Sequence, residues 1–165
     1  MNYTINFDTE GVGAGILAAL GAFLLVIVLI ALVISIVVII GQWKALKKGG
    51  KPGWAAIIPI YNNWVMCEMV GVNPYWVIVV LLSPILALIP VVGSLIQFVV
   101  ALYFTILLNV SVARSFGKSD GYAAGLILLP VIFWPMLGFG KDEFVGAKPM
   151  DDVAYNKFKE ITKKN

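Results

Sequence analysis

Hydrophobic and polar positions are laid out in long blocks along this chain, not in the short alternation of a half-buried strand. From Gly11 to Trp43 there is no charged side chain, and from Met69 to Ala113 there is none either. A bilayer's hydrocarbon core is about 30 Å thick and takes about 20 apolar helical residues to cross. A charge at its centre costs about 2.5 kcal/mol or more. Blocks of this kind predict an all-α, polytopic membrane helix bundle. The expected membrane domain is residues 1–140, with about four hydrophobic segments plus one interfacial or re-entrant helix, and a polar tail follows at 141–165.

The first helix is expected from about Gly15 to Gly41. Gly11, Gly15 and Ala19, and likewise Ala14, Ala18 and Ala22, recur every four residues and offer a face for close helix approach. The stretch from Trp54 to Val70 mixes an apolar run with Tyr61, Asn62, Asn63, Trp64 and Glu68. Pro59 is expected to kink it, and Trp54 and Trp64 suit the headgroup level. An interfacial or partly re-entrant helix fits better than a full span. Pro74 to Asn109 is too long for one span, and Pro90-Val91-Val92-Gly93 reads as a tight turn inside it. A second helix is therefore expected from about Tyr75 to Ile89, with Pro84 inside, and a third from about Ser94 to Ala113. Gly121 to Gly138, with Pro130 and Pro135 inside, either spans or re-enters as a hairpin.

Charge placement gives orientation. Lys44, Lys47, Lys48 and Lys51 follow the first helix with no acid among them, whereas Asp8 and Glu10 precede it. The positive-inside rule puts the lysine loop in the cytoplasm and the N-terminus outside the cell membrane. The apolar run is too long for a signal-peptide core and reads as a retained helix. Six lysines from Lys141 to Lys164 lean the tail toward the inside as well. Within the tail, Ala154, Phe158 and Ile161 mark one face of a short surface helix.

Composition narrows the classes of function. Hydrophobic residues are 61% of the chain and charged ones 13%, about half the charged share of a soluble domain. The single cysteine, Cys67, excludes an internal disulfide and reads as a packed residue. With no histidine, the usual zinc sets lack ligands, and no metal or other cofactor is expected. Nucleic acid is not an expected partner, because the lysines lie in loops and the tail, not on a basic face with aromatic context. The expected partners are the bilayer, anionic lipid headgroups and other membrane proteins.

The candidate polar positions form three groups. Gln97, Thr105 and Asn109, with Ala101 between, are spaced by four on the third helix and share a face. They serve either as interhelical hydrogen-bond partners or as the lining of a path. Glu68 is the acid lying well inside the hydrophobic portion; the favoured reading is an interfacial glutamate kept in water, and the alternatives are an ion pair with Lys51, Arg114 or Lys118 at the cytoplasmic face or a proton or cation site. Tyr61, Asn62 and Asn63 follow Pro59, where the asparagines either cap the helix break, the favoured reading, or bind a polar ligand. No acid pair or nucleophile–base set accompanies these groups, so no catalytic residue is assigned.

Two stretches echo each other. Gly50-Lys51-Pro52-Gly53-Trp54-Ala55-Ala56 and Gly117-Lys118-Ser119-Asp120-Gly121-Tyr122-Ala123-Ala124 each follow an apolar helix, and each leads through aliphatics to a proline, Pro59 or Pro130. An internal repeat would give this pattern, and so would membrane physics alone. Gly50 to Asn63, together with Ser115-Phe116-Gly117-Lys118-Ser119 and Leu137-Gly138-Phe139-Gly140, resembles a family of small bacterial integral membrane proteins of unknown function. Similar domains occur ahead of signal peptidase I in some bacterial chains. The resemblance covers roughly Ala31 to Gly146 and implies a membrane domain without an activity. The serine–lysine machinery of such a peptidase has no counterpart here, since Ser83-Pro84 falls in the second expected helix and no β-rich region follows. The expected function is that of a non-enzymatic membrane accessory or scaffold protein. The alternative is a small-molecule or ion transporter or channel using the polar stripe.

Overall fold

A computed structural model describes residues 9–89 and 91–151, with the side chains of 9–12 and 87 left out. These residues are helical wherever they are regular, with no strand among them. The α-helices are α1 (Thr9–Lys48), α2 (Pro59–Val70), α3 (Tyr75–Leu82), α4 (Val92–Ser115), α5 (Asp120–Leu128) and α6 (Pro130–Phe139). Two 3₁₀ segments, Gly53–Ile57 and Ser83–Leu88, precede α2 and follow α3. Two helical stretches, 13–48 and 92–115, are long and apolar enough to cross a membrane. The acidic N-terminal stretch up to Asp8 and the tail helix expected around Ala154, Phe158 and Ile161 lie outside the described residues.

The chain divides into two units, Met1–Ile36 and Val37–Asn165. In the first, the described residues are all α1, and the side chains from Ala14 to Ile36 are exposed. α1 as a whole has 40 residues, well beyond the expected Gly15–Gly41 and about 60 Å at 1.5 Å per residue.

The second unit holds the core. Leu46 from the end of α1, Met66, Cys67 and Val70 from α2, Val112 from α4, Leu126 from α5 and Leu137 from α6 are all but sealed from solvent. α4 packs through Phe104, Leu107, Leu108, Ser111, Val112 and Ser115, a spacing of three and four that makes one helical face. Phe98, Leu102 and Ile106, on the other side, remain exposed.

Prolines begin elements more often than they bend them. Pro59 was expected to kink a helix, but it opens α2 at its first turn, behind an extended Ile58. Pro130 opens α6 in the same way behind Leu129. The first turn of a helix has no use for the missing N–H, and proline pushes the residue before it out of the helical region. The expected segment Gly121–Gly138 is therefore two short helices, with Pro135 alone inside one. Pro84 likewise ends the α-helical part of the second expected helix at Leu82 and turns it into a 3₁₀ segment. Where α4 begins, a side chain at Gly93 would collide with the Leu86 carbonyl, so the chain doubles back on itself there at backbone contact distance.

Candidate functional site

Two helix ends are built alike. At the end of α1, Gly50 is left-handed (φ +72°), its N–H donates to the Lys47 carbonyl, and the Lys51 N–H donates to Leu46 at 2.9 Å. At the end of α4, Gly117 is left-handed (φ +68°), its N–H donates to Arg114, and the Lys118 N–H donates to Ala113 at 2.9 Å. Both are Schellman caps, in which glycine takes the conformation other residues resist and the next N–H closes the last turn. In each, the lysine after the glycine opens a proline-broken helical segment.

Each of these lysines then meets an acid at the far end of the segment it opens. Lys51 Nζ donates to Glu68 Oε2 at 2.9 Å, near the end of α2. Lys118 pairs with Asp142 Oδ1 at 2.7 Å, just beyond α6. A segment whose entry and exit are held within hydrogen-bond distance is a closed loop. α5 and α6 fold against each other accordingly: the Tyr122 hydroxyl donates to the Phe133 carbonyl at 3.2 Å, and their rings stand edge to face.

Around the first pair, the Trp64 indole N–H donates to Glu68 Oε1 at 3.0 Å. Hydrogen bonds from Lys51 and Trp64 and the Lys51 charge hold the Glu68 carboxyl below its ordinary range, with partial burial opposing them. Lys51, Trp64, Glu68, Gly71, Val72, Pro74 and Tyr75 enclose a half-open cleft of about 400 Å³. Trp64 and Tyr75 meet at 74° with centroids 6.1 Å apart. A second cleft, of about 340 Å³, is lined by Arg114, Gly117, Lys118, Lys148 and Pro149. Arg114 grips Asp120 through two bonds of 2.7 Å.

The other candidate residues are placed as follows. Tyr61 stacks on Trp54 with centroids 5.0 Å apart. Asn62 does not cap α2 as expected. It is buried, and its amide donates to Gln42 Oε1 at 2.7 Å, tying α2 to the end of α1. Asn63 borders a cleft of about 200 Å³ with Pro59, Ile60, Val77 and Phe104 among its walls. Gln97, Thr105 and Asn109 sit half-buried at the edge of the packed face of α4. Thr105 Oγ1 and Asn109 Nδ2 donate to the carbonyls of Ala101 and Thr105 on their own helix. Both donors are thus satisfied within α4, as mid-helix threonine and asparagine can do.

Residues that sequence reasoning passed over complete the arrangement. Lys48 Nζ donates to the Leu137 and Gly140 carbonyls at 2.7 and 2.8 Å, satisfying the end of α6 with a cation, as helix C-termini favour. Residues 141–151 form a strap along α4: the Val145 N–H donates to the Ser115 carbonyl, Lys148 N–H to Ser115 Oγ at 3.0 Å, and Met150 N–H to Ser111 Oγ at 2.9 Å. A hint was available for Asp120, six residues after Arg114. Ser111 and Ser115, one helical turn apart in a run of apolar residues, carried the signal for the strap.

No curated protein and no solved structure matches the chain significantly. A family of unknown function, DUF5684, matches it over residues 54–147, a stretch that holds α2 to α6 and the whole second closed loop and begins shortly after Lys51. That stretch is more than half of the chain, and the chain belongs to this family.

Proposed function

We propose that this is a multi-pass cell-membrane protein with a non-enzymatic accessory role, acting through contacts with lipids and other membrane proteins. In this reading α1 enters from outside, α3 with its 3₁₀ extension returns outward, and α4 comes back in. The two closed loops re-enter from the cytoplasmic face without crossing, and the strap stays on that face. The observation that carries the reading is the pairing of Lys118 with Asp142 at 2.7 Å, because a spanning segment cannot bring its two ends together. The Lys51–Glu68 pair does the same for the first loop. The lysines of α1's last turns agree with a cytoplasmic side, and the matching caps support an internal repeat of two parallel units.

Single cysteines at 47, 119 and 143 in a Cys67→Ala background test the topology. All three are expected to react with an impermeant reagent from one side of sealed vesicles, and labelling of 143 from the other side would make α5–α6 a span. Co-purification from native membranes tests the role: a membrane protein retained in fixed proportion is the expected result, and a chain recovered alone would refute it.

A further inference from the structure

The cleft beside Lys51 and Glu68 carries unused hydrogen-bonding capacity of two opposite kinds, side by side. Glu68 receives one bond on each carboxylate oxygen, from Lys51 and from Trp64. A carboxylate has about four acceptor positions, so two remain. An ammonium has three donors, and Lys51 uses one of them on Glu68. The walls contain one cation and one anion, so the cleft offers little net charge to a simple anion or a simple cation. Trp64 and Tyr75 form an aromatic corner next to the carboxylate, which suits an ammonium through the negative faces of the rings. The site also lies where α2 gives way to α3, across the left-handed Gly71 (φ +78°).

We propose that this cleft binds a zwitterionic phosphoethanolamine group, with the phosphate on Lys51 and the primary ammonium on Glu68 within the Trp64–Tyr75 corner. A primary ammonium brings N–H donors to the free acceptor positions of Glu68, which a quaternary ammonium cannot do. The phosphate takes the remaining donors of Lys51. The group has two sources, a lipid headgroup or a soluble phosphoethanolamine, and the membrane reading above bears only on which of them applies.

The full chain is placed in nanodiscs of phosphatidylethanolamine, phosphatidylglycerol and phosphatidylcholine in equal parts, and the lipids it retains on release are counted by native mass spectrometry. Phosphatidylethanolamine is expected to exceed each of the others by about tenfold, the order set by one charge-assisted hydrogen bond. Glu68→Gln should bring it down to the phosphatidylcholine level. Tyr75→Leu leaves the ion pair intact and should lower retention several-fold, which keeps the test open if Glu68→Gln fails to fold. A separate arm adds O-phosphoethanolamine to the protein in detergent. A rise in its unfolding temperature, abolished by Tyr75→Leu, supports the site with a soluble source; selective lipid retention supports it with the bilayer as source. Equal retention of the three lipids with no effect of free phosphoethanolamine overturns the proposal, as does preference for phosphatidylglycerol or an unchanged preference in a folded Glu68→Gln. The labelling experiment is independent, so failure here with single-sided labelling there refutes the ligand and leaves the topology standing.

Discussion

Gly41 and Gly138 are where the end of α1 and α6 come closest, and a single methyl group there should force the two apart. A Cβ on Gly41 would lie 2.6 Å from the Pro135 nitrogen, 2.6 Å from the Trp134 carbonyl carbon and 2.7 Å from its oxygen. These are backbone atoms, which cannot swing aside as a side chain can. Ordinary contact begins near 3.4 Å, so α6 must retreat by about 0.8 Å, the difference between 3.4 and 2.6 Å. The Lys48 bonds to Leu137 and Gly140, now 2.7 and 2.8 Å, would then lie at or beyond about 3.5 Å unless the ammonium follows, too long to count. Overpacking of this kind costs about 1–3 kcal/mol, and alanine returns about 1 kcal/mol of helix propensity. The expected net loss for Gly41→Ala is about 0–2 kcal/mol, toward the upper end because the atoms struck are backbone, a fall of a few degrees in unfolding temperature. Gly21, in the same helix, has nothing within 4 Å of its Cβ position, so Gly21→Ala should gain about 0.5–1 kcal/mol. Thermal unfolding in detergent, followed by reaction of the buried Cys67 with a fluorogenic maleimide, reads both. Gly138→Ala strikes the Gly41 carbonyl from the other side, so the double variant should lose less than the sum of the two. A Gly41→Ala protein as stable as the parent, or a Gly21→Ala protein as damaged as Gly41→Ala, would refute the close-approach argument.

Three further outcomes are expected. Ser115→Ala removes the acceptor for the Lys148 N–H and should loosen the strap by about 1 kcal/mol, so hydrogen–deuterium exchange of the Lys148 amide should be about fivefold faster; unchanged exchange would sink the strap's dependence on this bond. The Glu68 carboxyl is held below the ordinary glutamate range, chiefly by the Lys51 hydrogen bond, so its contribution is present above that range and is lost as pH falls through the lower folded value. The unfolding temperatures of the parent and Glu68→Gln should therefore converge in acid and diverge toward neutrality, and a constant gap would contradict the ion pair. The Cys67 thiol is pushed up to about 12, mainly by burial and secondarily by the Glu68 charge; iodoacetamide at pH 8 should leave it untouched until the protein unfolds, and rapid labelling of the native chain would contradict its burial.

Local features were legible where physics acts on neighbours in sequence. The start of α4 near the expected break (Pro90 of that break lies outside the described residues), the packed Cys67 and the two apolar stretches long enough to cross a membrane follow from solvation and turn chemistry. The likeness of the Gly-Lys stretches was visible too, although their common cap was not named from it. The partner of Glu68 was narrowed to three cations, and folding selected Lys51, the one on the same loop. For the polar stripe, spacing by four tells that side chains share a face, not what that face meets. Thr105 and Asn109 found their acceptors one turn back, on their own helix, while the adjacent row through Leu108, Ser111 and Ser115 took the core.

Hydropathy blocks and the placement of glycine and proline determined by themselves which stretches are helical and roughly where they break, since burial of apolar surface, a missing N–H and a left-handed φ act over a few residues. Only the tertiary structure decided that Lys118 would meet Asp142, that Lys48 would satisfy the end of α6, and that residues 141–151 would run back along α4. Those contacts join positions from 24 to 92 residues apart. Each depends on where whole helices cross, and a pattern of residue types along the chain carries no measure of that distance.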